Sequence, residues 1–587
     1  MRVDTLTQAI ERASLATTGV TFWSDPGRSD FYRYETLLNN ARAVADSLVR
    51  RGLKRQDTVA IVLGTGPDFY AAFFGACLAG GIPTALYPPA RLGKVEEWKH
   101  RTAKMLAAVE CAAVLTDRRL MALLGTPVRM ANPKLGCHTV SQLQKQGETA
   151  YTSTTPPADI AAIQFSSGST GDPKPVALSH ENILYNARAI LDALPVGADE
   201  RSGVSWLPLY HDMGLVGCMI SAIVSSSPMT LIGPERFVTK PVRWLQALSE
   251  SRATISVAPN FAFGLTANKA RDGDLQGLDL SNWKVALCGA EPVHPRTLED
   301  FSNRFSSIGF DETAITPVYG LAEATLAVTF SDPGKTPQWT HFDADRLEQA
   351  GIAETTSNGR QIPSLGKPLS GCSIEIRNSD GVQLGETQVG RVHVKSPGVM
   401  QGYLNRPAAT SDTLDEFGWL DTGDTGFIMN GELYLCGREK DIVIINGRNH
   451  DPALVEQSLD GLDGIRPGCV AAFGVDDADS GSERLVLLAE KSRELTDEDI
   501  VVNEAISAVQ AGVGLSVSEF ELLEPGTLPR TSSGKIRRSE ARRCWLNGTL
   551  SAGKKVTRGL VLKEMGSGLV QHLRHRASHI RLVQRTR

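Results

Sequence analysis

Nine cysteines are scattered over the 587 residues, at positions 77, 111, 137, 218, 288, 372, 436, 469 and 544, and no two lie close enough for a Cys-x-x-Cys pair. That spacing excludes the common thiolate metal and dithiol redox motifs and points to a reduced, cytoplasmic protein. Long apolar runs are also missing. The best stretch, Phe69 to Leu86, is interrupted by Gly75, Gly80, Gly81 and Pro83, so no transmembrane span is expected. The stretch from Met1 to Gly19 carries Arg2, Asp4, Glu11 and Arg12 and lacks a signal-peptide core. Charge of one sign is not in excess: 61 Lys and Arg against 66 Asp and Glu leave −5, which gives no global electrostatic ground for a nucleic-acid partner. Internal repeats are absent. What the chain does have is apolar material, 41% hydrophobic against 22% charged, in a length about four times the ~150 residues of one domain. Several packed units are expected.

The hydrophobic pattern gives their order. Thr58–Leu63 reads as a buried strand, Asp68–Ala79 as a helix and Thr84–Tyr87 as the next strand, a βαβ rhythm that recurs through Asn182–Leu194, Pro228–Leu231, Trp244–Ser251, Ile255–Ala258 and Val285–Cys288. This predicts an α/β fold with a large N-terminal domain of two helix-covered sheets. From Cys372 the period changes to two, in Ser373–Arg377 and Gly390–Lys395, which predicts a β-rich, barrel-like subdomain. A fresh α/β set starts at Ile442. The expected boundaries are therefore 1–437 for the large domain, with an insertion or mobile loop at 332–366; 438–441 for a hinge; 442–546 for a small, mobile C-terminal domain; and 547–587 for a basic tail.

Ser166-Ser-Gly-Ser-Thr-Gly-Asp-Pro-Lys174 follows the apolar strand Ile160–Phe165 and is read as leading to a helix near Ser179. Its glycines let backbone amides approach an anion, its hydroxyls add donors, and Lys174 adds a charge. Taken alone it is equally a flexible Ser/Gly linker. Six further motifs follow in order: Trp206-Leu-Pro-Leu-Tyr-His-Asp-Met-Gly214, Cys288-Gly-Ala-Glu-Pro292, Tyr319-Gly-Leu-Ala-Glu-Ala-Thr325, Trp419-Leu-Asp-Thr-Gly-Asp424, Gly437-Arg-Glu-Lys-Asp441 and Pro529-Arg-Thr-Ser-Ser-Gly-Lys535. Together with the loop they resemble the signatures of the adenylate-forming superfamily, which includes acyl-CoA synthetases, peptide-synthetase adenylation domains and luciferases, over roughly residues 20 to 545. Tyr210–Gly214, Val257–Phe263, Tyr319–Thr325 and Asn446–Pro452 look most like the fatty acyl-AMP ligases, and 332–366 lies where that group carries an insertion.

The resemblance implies ATP and Mg²⁺ as cofactors, a fatty acid as substrate and the phosphopantetheine thiol of an acyl carrier protein as acceptor. Ser166, Ser167, Gly168, Ser169, Thr170, Gly171 and Lys174 would cradle the β- and γ-phosphates, and Glu323 with Thr170 would hold Mg²⁺. Gly289, Ala290, Glu291 and Tyr319, continuing through Gly320, Leu321 and Ala322, would line the adenine slot. Asp424 and Arg438 would meet the ribose, Lys535 would bridge the substrate carboxylate and the ribose side, His211 would gate the acyl site or merely be a satisfied histidine, and Lys440 would be the hinge pivot. A coenzyme A ligase is the near alternative, and a non-catalytic acyl- or nucleotide-binding protein on the same fold is the distant one.

Pro175 stands where the family's loop usually has glycine, and Ala322 replaces a threonine common in the wider superfamily. The tail from Lys554 to Arg587 has nine Lys or Arg against Glu564 alone. Its His572, His575 and His579 lack a carboxylate or thiolate companion, so the tail reads as a surface for an acidic carrier protein or, in competition, for peripheral contact with anionic lipid headgroups rather than as a metal site.

Overall fold

A strand that is apolar on both faces needs cover on both, and Thr58–Val62 is buried at every position. It pairs in parallel with Ile82–Leu86 on one side and Ala113–Thr116 on the other, inside a seven-stranded sheet. Helix Pro67–Leu78, with proline in its first turn, connects the first two strands. The structure is a computed structural model that describes residues 3–89, 95–152, 159–166, 173–445, 448–477, 482–492, 497–531 and 535–551. Among these no helix is long and apolar enough to cross a membrane. Ser167, Gly168, Ser169, Thr170 and Gly171, the Asn446–Gly447 pair and the basic tail from 552 onward lie outside the described residues.

The second sheet has nine strands and a parallel centre, in the spatial order Ile315–Gly320, Val285–Cys288, Ile255–Ala258, Gly203–Ser205 and Met229–Ile232. Its register sets Ala258 beside Cys288 and Cys288 beside Pro317, so three carboxyl ends open along one edge. That edge is where open α/β sheets bind ligands. Trp244 meets Phe263 and Trp283 edge to face, with ring centroids 5.3 and 5.2 Å away, and Phe263 meets Phe301 at 5.0 Å. Each such pair adds about 0.5–1.5 kcal/mol beyond burial, which pins the helices to these strands.

Three expectations change in detail. The helix expected near Ser179 starts at His180 behind a Ser179 cap, but an unforeseen strand comes before it: Ile160–Ser166 and Lys174–Ser179 are antiparallel partners with Ser166 opposite Lys174. Pro175-Val-Ala-Leu is a short, fully buried apolar run, a strand signal that the glycine-rich loop before it obscured. The β-rich unit is an open four-stranded antiparallel sheet, Ser373–Arg377, Gly390–Lys395, Leu420–Met429 and Glu432–Arg438, and no closed barrel forms among the described residues. Segment 332–366 is structured rather than a bare loop. Trp339–Phe342 pairs with Arg360–Pro363, Ala344–Gln349 is helical, and Phe342, Leu347, Ala353 and Ile362 share a core with Phe427 and Tyr434. Its few apolar residues are too widely spaced to show periodicity, yet they suffice once a neighbouring sheet supplies half the core.

After residue 441, strands Ile465–Asp477, Ser482–Lys491 and Glu519–Leu523 form a separate sheet. Val443, Val455, Leu485, Leu487, Ala505 and Val509 belong to a core of their own there.

Candidate active site

Two motif segments leave adjacent parallel strands at the same edge. Val285–Cys288 runs out into Gly289-Ala290-Glu291, with Ala290 at φ +69°, and Ile315–Gly320 carries Tyr319 at its end and Glu323 in the turn beyond. Only glycine fits at 320, because a Cβ there would sit 1.8 Å from the Leu326 carbonyl oxygen. The chain doubles back at this point, and the fold-back aims Glu323 towards the first sheet.

Asp424 and Arg438 are direct cross-strand partners in the hairpin Leu420–Met429/Glu432–Arg438, which explains their separation in sequence. The Arg438 Nε donates to Asp424 Oδ1 at 2.8 Å and the Tyr319 hydroxyl donates to Oδ2 at 2.6 Å. The carboxylate is 5% exposed, so two donors from two sheets fix it in place. Asp424 holds the guanidinium of Arg438 above its usual range, against the opposing effect of burial.

The Tyr403 hydroxyl donates to Glu323 Oε1 at 3.0 Å, and the Lys174 ammonium lies 4.6 Å from the centroid of the Tyr403 ring. Tyr403 reaches this position because Gly402–Tyr403 pairs with Ala177 and Val176 at the edge of the first sheet. One phenol thus connects the far end of the 166–174 loop with the glutamate of the second sheet.

His211 Nδ1 is 2.7 Å from Asp212 Oδ1, and the same oxygen accepts the Met213 amide at 2.7 Å. Met213–Ile220 winds as a π-helix, and a Cβ at Gly214 would come within 2.3 Å of the Pro208 carbonyl oxygen. Such wide turns concentrate at functional sites. Burial works against ionisation of Asp212, but His211, Lys535 and the Met213 amide overcome it and leave the carboxyl below its usual value.

Lys535 comes from the C-terminal unit and faces this edge. Its amide donates to Thr531 Oγ1 at 3.0 Å. Burial lowers the ammonium's pKa, while Glu291, Asp212 and Asp424 attract the charge and Arg438 repels it. Glu291 Oε1 accepts the Phe261 amide at 2.6 Å and so ties the 289–291 turn to helix Asn260–Lys269; burial lifts its carboxyl above the usual value, opposed by that amide and by Lys535. Hydrogen bonds join Asp424, Arg438 and Tyr319, His211 meets Asp212, and Tyr403 joins Glu323 to Lys174, while the charge of Lys535 is felt by Glu291, Asp212, Asp424 and Arg438.

A family model described as AMP-binding enzyme matches residues 11–404. The chain belongs to the AMP-binding enzyme family. This AMP-binding enzyme is 34% identical to the long-chain-fatty-acid–AMP ligase FadD23 of Mycobacterium tuberculosis, over 84% of this chain and 87% of that protein. It is 32% identical to the medium-chain-fatty-acid–[acyl-carrier-protein] ligase JamA of Moorena producens, over 88% of this chain and 90% of the relative. A solved structure from work on fatty acyl-adenylate ligases from E. coli and L. pneumophila superposes with a TM-score of 0.87 at 33% identity, covering 93% of this chain and 98% of that one. The likeness to fatty acyl-AMP ligases read from the motifs is therefore borne out.

The sequence reading gave no role to Tyr403 or Asp212 in this AMP-binding enzyme. Asp212 lay inside a quoted motif, beside the more conspicuous histidine. Tyr403 carries no motif signal except Gly402 before it, at φ +135°, because its role comes from long-range strand pairing between Tyr403 and Val176.

Proposed function

We propose that the protein activates a fatty acid with ATP, releasing pyrophosphate, and then passes the acyl group to the phosphopantetheine thiol of an acyl carrier protein. The observation that supports this reading is the buried Asp424 carboxylate held by Tyr319 and Arg438, with Lys535 of the C-terminal unit close enough to feel its charge. In the first step a carboxylate oxygen of the fatty acid bonds to the α-phosphorus of ATP, and the bond to the bridging oxygen of pyrophosphate breaks. Two anions must meet, so preorganised cations and an in-line pose supply the rate.

In this reading Lys535 bridges the fatty-acid carboxylate and the ribose side. Asp424 accepts from the ribose hydroxyls, held by Tyr319 and Arg438, and the 289–291 turn with Tyr319 to Ala322 lines the adenine slot. Ser166 and Lys174 bracket the phosphate loop, and His211, braced by Asp212, sits towards the acyl side. Mg²⁺ fits the donor chemistry: Glu323, a hard carboxylate with one oxygen steadied by Tyr403, would hold it, with phosphate oxygens and water as the kind of donors that would make up the rest. Thr170, outside the described residues, is its second proposed contact. When bound, the ion neutralises phosphate charge. Residues 1–437 serve as the adenylating unit, 438–441 as the hinge around Lys440, and 442–546 as the small unit that delivers Lys535. In the second step the thiol sulfur attacks the acyl carbon and AMP leaves.

Relatives named as acyl-CoA synthetase and fatty-acid–CoA ligase match at 33% identity, so the acceptor is what the experiment must decide. The protein is given ATP, Mg²⁺ and fatty acids of graded length, then coenzyme A or holo-carrier protein in separate reactions. Acyl-AMP and acyl-carrier protein are the expected masses. Efficient acyl-CoA formation would replace this reading with the ligase alternative, and absence of acyl-AMP would overturn both.

A further inference from the structure

Glu490 is a carboxylate shut off from water, and no role assigned so far uses it. It follows five buried apolar residues, 485–489, on Ser482–Lys491, the central strand of the C-terminal sheet. An apolar side chain would pack there at least as well as a buried ion pair. What the carboxylate adds is two acceptors. Its Oε1 accepts the Leu528 amide at 3.0 Å, and its Oε2 accepts Arg466 Nη1, also at 3.0 Å.

Leu528 is the residue just before the 529–535 motif. Its side chain shares a core with Ala471, Phe473, Val486 and Leu488, so side chain and amide fix it together. Backbone pairing carries that position on to the lysine. The Pro529 carbonyl accepts the Arg537 amide at 2.9 Å, Arg530 bridges Ile536 in antiparallel fashion, and the Thr531 amide donates to the Lys535 carbonyl at 2.7 Å while Thr531 Oγ1 accepts the Lys535 amide. The neighbouring strand supports the same place through an irregularity. Pairing of Ile465–Asp477 with the central strand slips between Ile465 and Val470, and Gly468 there has φ +62°. Inside this bulge Arg466 meets Glu490, and the Gly468 carbonyl accepts Arg530 Nη2 at 2.8 Å. Cys469 Sγ, which also lies beside Glu490, accepts the same arginine nitrogen. Bulges of this kind are concentrated next to active sites.

Resting on the function proposed above, we propose that Glu490 is a positioning residue for Lys535: it anchors Leu528, and the paired segments 529–531 and 535–537 carry that anchor to the lysine in the adenylation step. It acts through the backbone and not on the substrate. A misplacement of about 1 Å at reacting groups can cost ~10²-fold in rate, so a distant anchor of this kind has a kinetic signature.

The test uses the full chain. Glu490→Asp draws the carboxylate back by one methylene; Arg466, 47% exposed, can follow it, but Leu528 is held in its core and cannot. Glu490→Gln keeps the reach and still offers Leu528 a carbonyl oxygen. In single turnovers Glu490→Asp should release pyrophosphate about tenfold more slowly with the ATP KM within about twofold of wild type, and Glu490→Gln should recover to within about threefold. Transfer from preformed acyl-AMP to holo-carrier protein, which does not call on Lys535, should stay within about twofold in both variants. Added to Lys535→Ala, Glu490→Asp should slow adenylation no further. The control Arg484→Met, which breaks an ion pair from the same strand to Glu519, should match wild type. Hydrogen exchange supplies a readout apart from activity: the peptide holding Leu528 should exchange faster in Glu490→Asp while 485–489 stays protected.

A carboxylate that only stabilised the fold would slow both steps alike, and its loss would add to that of Lys535. Equal slowing of the two steps, an additive double variant, or wild-type pyrophosphate release in Glu490→Asp overturns the anchor. The ratio of the two steps in Glu490→Gln keeps the test decisive if Glu490→Asp folds poorly. If wild type makes no acyl-AMP, the functional reading fails and exchange at Leu528 alone decides the anchor, faster exchange upholding it and unchanged exchange ending it. If wild type makes acyl-AMP and Glu490→Asp keeps its rate, only the anchor fails.

Discussion

Lys535 is a cation in a place that disfavours cations. Burial lowers its pKa, so deprotonation begins below the ~10.4 of an exposed lysine. Adenylation needs the charged form, so kcat/KM should fall along an alkaline limb that starts below that value. Glu291→Gln removes the carboxylate that supports the charge most strongly and should move the limb to lower pH; an immobile limb in a pH–rate profile would detach Lys535 from Glu291. The same shift has a stability sign: the folded state binds fewer protons than the unfolded chain, so the cost is present below the folded pKa and fades as pH rises towards the unfolded value. Lys535→Ala should slow pyrophosphate release at least ~10²-fold, the scale of one lost preorganised charge. On the phosphate side, Tyr403→Phe deletes the 3.0 Å bond to Glu323 and should raise the Mg²⁺ half-saturation for adenylation about fivefold, for roughly 1 kcal/mol, with Glu323→Gln causing a larger rise. A Mg²⁺ titration unchanged in both variants would remove Glu323 from the metal site.

At the scale of elements, the 438–441 segment and the 332–366 insertion act on the same interface. Glu439–Asp441 is a single short turn between Glu432–Arg438 and Val443–Ile445, so one residue's dihedral change there reorients everything after it. Lys440→Pro fixes φ and should slow acyl transfer more than acyl-AMP formation; equal slowing in single-turnover assays of the two steps would exclude residue 440 as the pivot. The insertion touches the C-terminal unit directly: an Arg360 terminal nitrogen donates to Asp451 Oδ2 at 2.9 Å, as it does to the Cys436 carbonyl on the large unit's last strand, and His450 approaches Glu348 at 3.6 Å. Removing 337–361 outright would uncover Phe427 and Tyr434, so Arg360→Met is the sharper change. It cuts the tie and leaves the apolar core. If the insertion excludes coenzyme A by holding this unit, acyl-CoA should rise above background in Arg360→Met while acyl-AMP formation stays near wild type, as read by product mass.

At the scale of the whole molecule, the site is divided between two sets of cores. Asp424, its partner Tyr319 and Glu323 belong to the part of the chain before residue 438, while Lys535 comes from the part after it, which has a sheet with its own core around Leu485, Leu487 and Val509. A fragment ending at Arg438 should therefore bind ATP within about tenfold of the full chain and yet form acyl-AMP at least ~10² times more slowly, because it lacks one preorganised charge and not the nucleotide floor. Nucleotide titration and pyrophosphate release on the fragment check the two halves separately. A fragment with full adenylation activity would mean that Lys535 is not part of the first step.

Local periodicity by itself determined most strands and helices, because buried parallel strands such as Ile255–Ala258 and Val285–Cys288 announce themselves as short apolar runs bounded by turns. The ordered motifs likewise determined the family and named Asp424, Arg438, Glu323 and Lys535 before any of them had a neighbour. Only the tertiary structure decided what those residues touch. Asp424 meets Arg438 through hairpin register and Tyr319 through the meeting of two sheets, and Tyr403 reaches Glu323 through an edge strand. The insertion looked structureless because half of its core is supplied by Phe427 and Tyr434, and a pattern whose partner lies elsewhere in the chain has no period to read. Sequence encodes what each segment wants to bury, and long-range packing determines what it is buried against.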